Sequence, residues 1–138
     1  MRRTSLITSA VVSCNLAVAS PTFGQEQNPA ATYENAIGCY ITYSGLYGVA
    51  TIELSAGTGR MTAQDQAKFV SAANRLDPII LRLGTQLGKS QQQMLADLQA
   101  KHAAESPEPK KLLEQGRFEQ AMEILLSRAR ACDSIAFN

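Results

Sequence analysis

The 138-residue sequence predicts an all-α fold: a small irregular bundle of four to five helices, closed by one disulfide between the first and last helices of the mature chain. Three observations carry this. Apolar residues recur at alternating spacings of 4 and 3 in two long stretches, as one buried helical face requires. Thr62 and Ser90, each with Asp or Gln three residues on, supply helix-starting capping boxes, and glycines follow the helix ends. No alternating strand pattern of any length interrupts the series.

The chain opens on an export signal. Met1-Arg2-Arg3 is a basic head, Leu6 to Ala19 an apolar run, and small residues follow, so residues 1–24 read as a cleavable signal peptide. The cut is placed after Gly24, because Pro21 breaks the apolar helix and Gln25 begins a polar stretch; a cut after Ala19, in Ala17-Val18-Ala19, is the alternative. Val11-Val12-Ser13-Cys14 resembles a bacterial lipobox, which would put a lipid anchor on Cys14, but the apolar run continues through Ala19, past where such a signal stops. Residues 25–31 then form a flexible polar linker and 32–138 a single helical domain. The expected location is periplasmic or secreted.

Export decides how the cysteines are read. Once the signal is gone, Cys39 and Cys132 remain, an even pair in an oxidising compartment where structural disulfides persist, and they are predicted to bond to each other. Composition excludes other classes. A hydrophobic content of 45% argues against disorder, and without Arg2 and Arg3 the chain carries 11 basic and 12 acidic residues, no footprint for nucleic acid or an anionic membrane.

The first helix, from about Thr32 to Leu54, organises the rest. It holds all four tyrosines, and at 100° per residue Tyr33, Tyr40, Tyr43 and Tyr47 fall within roughly one quarter of its circumference. Gly38, Gly45 and Gly48 cluster on another side with Ile41 and Ile52. A helix apolar nearly all round belongs in a core; its Tyr, Thr, Ser and Gly content argues against a membrane span. Ser55 to Gly59 forms a loop, and a second helix from about 62 to 87 follows, with Phe69, Ala73, Leu76, Ile80, Leu83 and Leu87 on one seam whose phase runs unbroken across Pro78. Gly88 closes it. Ser90 starts a third helix ending near Ala104, with Met94, Leu95, Leu98 and His102 on a shared face. Ser106 to Pro109 is a break that also starts something, since proline is tolerated in a first turn; Lys110 to Gln115 is a short fourth helix, and the last helix carries Phe118, Met122, Leu125, Ala129 and Cys132 inward. The run from Leu112 to Met122, with Gly116 at a turn followed by Phe118 and Ala121, resembles the turn and second helix of a tetratricopeptide repeat, which implies a close helical hairpin; it occurs once, with no second copy about 34 residues away.

Motifs for chemistry are scarce. His102 is the single histidine, read as a bundle-edge residue, and with both cysteines bonded too few ligands remain for zinc. Gly57 and Gly59 lack the strand and lysine of a phosphate loop, and no cofactor is expected. The tyrosine face, Tyr33, Tyr40, Tyr43 and Tyr47, is the candidate for ligand or partner contact, because tyrosine combines apolar area with a polar handle; the competing reading is that the rings fill the core. The functional expectation is therefore a non-enzymatic exported protein of binding or interaction type, its partner an unidentified protein or small apolar molecule. Two alternatives stay open. One is a stress-protective factor that resembles the small all-helical, single-disulfide periplasmic chaperones in size and cysteine count. The other is a small enzyme using His102 with carboxylates such as Glu53 or Asp65.

Overall fold

The computed structural model describes residues 28–136. The signal peptide, both candidate cleavage sites, Cys14 and the first three linker residues lie outside the described residues. Five helices follow in order: α1 Pro29–Ala56, α2 Ala63–Gln86, α3 Gln91–Glu105, α4 Pro107–Glu114 and α5 Phe118–Ala136, with no strand among the described residues.

Each boundary has a local cause. α1 starts at Pro29 rather than near Thr32, because proline suits the first helical turn and Asn28 caps it, its side chain accepting from the Ala30 N–H at 3.1 Å. Thr32 instead donates its hydroxyl to the Asn28 carbonyl at 3.2 Å. At the other end Gly57 adopts φ 64°, and the Thr58 N–H reaches back to the Glu53 carbonyl at 3.2 Å, closing the helix as a Schellman turn. Both expected capping boxes form: the Asp65 N–H donates to the Thr62 hydroxyl at 3.1 Å and the Thr62 N–H to the Asp65 carboxylate at 2.9 Å, while Ser90 and Gln93 repeat the exchange at 3.2 and 2.8 Å. α2 is continuous through Pro78. α4 begins at Pro107, three residues before Lys110, and the two prolines occupy its first turn, in line with the reading that this break also starts a helix.

α1 is the central strut. It runs antiparallel to α2, with Thr51 beside Gln66 at one end and Tyr33 beside Gly84 at the other, and antiparallel to α5, with Cys39 bonded to Cys132 and Gly45 near Leu125. It runs parallel to α3, where Tyr33 meets Asp97 and Gly38 meets Lys101. Tyr33, Ile37, Tyr43, Leu46 and Leu76 are the largest fully buried side chains, joined by the expected α2 seam and by Met122, Leu125 and Ala129 of α5. Burying Leu76 completely stakes about 2 to 5 kcal/mol on that one side chain.

The third helix departs from expectation. Met94 is buried and Leu98 half-buried, but Leu95 and His102 are exposed. α3 meets α1 through Asp97, Lys101 and Glu105, so Leu95 turns to solvent and His102 stands exposed at the rim of the gap beside α1. The turn at Gly116 folds α5 back on α4 as a hairpin, with Ala121 fully buried.

Candidate functional site

The tyrosine stripe divides. Tyr33 and Tyr43 are each 1% exposed, while Tyr40 is half-buried and Tyr47 is 38% exposed. The buried pair keeps its hydroxyls satisfied: Tyr33 donates to the Asp97 carboxylate at 2.8 Å, and Tyr43 contacts the Asp133 carboxylate at 3.1 Å and the Ala129 carbonyl at 3.3 Å. Burial, then the Asp133 hydrogen bond, pushes the Tyr43 phenol up to about 12; burial, then Asp97, pushes Tyr33 well above its ordinary value. The Lys89 ammonium lies 2.9 Å from Asp97 and 5.3 Å from the Tyr33 ring centre, tying the α2–α3 loop to the start of α1. Hydrogen bonds from Lys89 and then Tyr33 hold the Asp97 carboxyl below the usual carboxylate range.

The opposite side of α1 is open. α3 and α5 flank the glycine side of the helix without packing on each other. The Arg128 side chain spans the gap, its Nη1 donating to the Glu105 carbonyl at 2.9 Å. On one side of this strap lies a cavity of about 360 Å³, floored by Ile41, Gly45, Gly48 and Ile52 and walled by Pro109, Leu113 and Leu125. On the other lies a more polar cleft of about 350 Å³ lined by Glu34, Asn35, Gly38, Lys101 and the disulfide. Both volumes fall within the about 300 to 1,000 Å³ typical of small-ligand sites.

The glycines on the floor have no packing reason to be glycine. A Cβ built on Gly48 meets nothing within 4 Å, and one on Gly45 meets Leu125 at an ordinary 3.8 Å. Glycine inside a helix costs about 1 kcal/mol relative to alanine, a cost usually offset by the close approach of another helix. Here no described residue stands within 4 Å of the Gly48 Cβ position, and Ile52 at the mouth is 67% exposed. Gly84 is the contrast. A Cβ there would run into Met94 Sδ and lie 3.1 Å from Tyr33 Cε2, so glycine is what lets α1, α2 and α3 meet.

The residues considered for catalysis are not assembled. His102 lines the cavity, but the Glu53 carboxylate is engaged by Thr58 and lies 3.9 Å from Arg60, and Asp65 closes its capping box, its carboxyl lowered by the Thr62 N–H and then the Thr62 hydroxyl. Among the described residues no three His, Cys, Asp or Glu side chains group as a metal site requires, and no helix is long and apolar enough to cross a membrane. Cys39 and Cys132 form the disulfide, their Cα atoms 5.6 Å apart, so the first helix is bonded to the last. The groove itself was missed from sequence: Ile41, Gly45, Gly48 and Ile52 were visible as one stripe, but its walls come from residues 60 to 80 positions further along the chain.

Fold and site together define a small disulfide-closed helical bundle with an apolar groove along its central helix. Comparison with protein-family models, with curated proteins and with solved structures finds no match.

Proposed function

We propose that this is an exported, non-enzymatic binding protein that holds a small apolar molecule in the groove over Gly45 and Gly48. The observation that carries the reading is the open apolar space above two helix-interior glycines whose Cβ positions are unobstructed. Stability is given up there without a packing return, and a cavity kept clear for a ligand accounts for it. Export to the periplasm or beyond is supported by the Met1-Arg2-Arg3 head, the apolar run to Ala19 and a disulfide of the kind that persists in oxidising compartments. Mass spectrometry of the exported protein is expected to find Gln25 as the first residue; a chain still starting at Met1 contradicts the signal reading.

Titration with an environment-sensitive apolar fluorophore tests the groove. Gly48→Leu, whose Cβ position meets nothing within 4 Å among the described residues, extends a side chain into the groove, and it should weaken fluorophore binding about 10-fold or more while the melting temperature holds or rises. Equal binding by both proteins would place the ligand elsewhere.

A further inference from the structure

Resting on that reading of the groove, we propose that the ligand is a single-chain anionic amphiphile, its alkyl chain laid over Gly45 and Gly48 and its carboxylate held by Arg128 and Lys110. Shape gives the first part. The apolar floor from Ile41 to Ile52 spans eleven helical steps, about 16 Å, a run along one helix face that an extended alkyl chain can follow.

Charge gives the second part. The ionic side chains lining the apolar cavity are Glu105, Lys110 and Arg128. The Glu105 carboxylate is directed into the neighbouring cleft, where it lies 2.9 Å from the Lys101 ammonium and 3.9 Å from the Cβ position of Gly38. Its charge is met there. Arg128 is oriented by a backbone carbonyl, which leaves its positive charge uncompensated by that bond, and its nearest carboxylate, Glu108, stands 3.7 Å away on the surface, beyond hydrogen-bond length. Lys110 faces Glu114 at 3.9 Å across an exposed helix surface, a pairing worth little. The three ionic groups on the cavity lining sum to one positive charge, with Glu108 and Glu114 standing 3.7 and 3.9 Å from the two cations on the exposed surface. A guanidinium fixed in orientation matches the planar carboxylate fork, and a neutral or cationic head would gain nothing from it.

Calorimetric titration of the delipidated, oxidised protein with dodecanoate, dodecan-1-ol and dodecylammonium at pH 8 tests this. The acid should bind about 10-fold or more tightly than the alcohol, as charge-assisted hydrogen bonds imply, and the ammonium more weakly than either. Arg128→Gln should erase the preference for the acid over the alcohol. Lys110→Gln, on an exposed surface where folding is not at stake, should reduce the preference several-fold. Equal affinity for acid and alcohol, or a preference that survives Arg128→Gln, overturns the anionic head while the groove reading stands. If none of the three binds, and Gly48→Leu changes no fluorophore titration either, both readings fall together.

Discussion

Single residues carry two opposite uses of glycine in this chain. Gly84 is required by contact, so Gly84→Ala should cost about 1 to 3 kcal/mol as Met94 and Tyr33 are forced aside. Gly48 faces open space, so Gly48→Ala should gain about 0.5 to 1 kcal/mol through helix propensity. Urea denaturation of the two variants reads both signs. Titrating residues give a second test. Tyr43 and Tyr33 have raised values in the folded state, so their contribution is complete below the unfolded phenol value of about 10 and is lost as pH rises from about 10 to 12. Tyr43→Phe should flatten that alkaline loss. Asp97 and Asp65 are lowered, so their contribution is present above about pH 4 and is lost as pH falls further; Asp97→Asn should flatten the acid limb.

At the scale of elements, legibility followed chemistry that is local. The α2 seam from Phe69 to Leu87 and the α5 seam from Phe118 to Cys132 were readable because one face alone is apolar, and both are buried as expected except at Leu87 and Phe118, which are half-buried against the core. The capping boxes were readable for the same reason, and Thr62→Ala should lower stability by about 0.5 to 2 kcal/mol in denaturant titration. α1 resisted, because its tyrosine and glycine faces are both apolar and periodicity cannot say which one a neighbour covers. The answer lies in residues far along the chain: α5 covers Tyr43, while the glycine face is left between α3 and α5. Leu95 was misplaced because Met94, Leu95 and Leu98 look equally apolar, and the choice among them belongs to the neighbouring helices: Met94 is buried against Gly84 of α2. The stretch from Ser106 to Pro109 reads as a break that also starts a helix, and Pro107 is the first residue of α4, where its missing N–H is harmless; the start was placed at Lys110 because the prolines were counted with the break. Met61, in the short α1–α2 connection, is buried with the core without any periodic signal to announce it.

For the molecule as a whole, the bond between Cys39 and Cys132 joins positions 93 residues apart, and the chain-entropy argument values that closure at up to about 4 to 5 kcal/mol. Reduction should therefore lower the urea midpoint sharply, and a Cys39→Ala, Cys132→Ala double variant should match the reduced protein. The same bond holds α5, and with it Leu125 and Arg128, against α1 as one wall of the groove. A bundle of this size has little surplus stability. Open glycines in its central helix are the more informative for that.

The groove is the central claim, and amide chemical-shift mapping tests it most directly. With the apolar fluorophore added to the oxidised, isotopically labelled protein, the largest shifts should fall at Gly45, Gly48, Ile52 and Leu113. Shifts confined to Tyr40, Tyr47 and their neighbours on the other face of α1, or no shifts at saturating ligand, would contradict it.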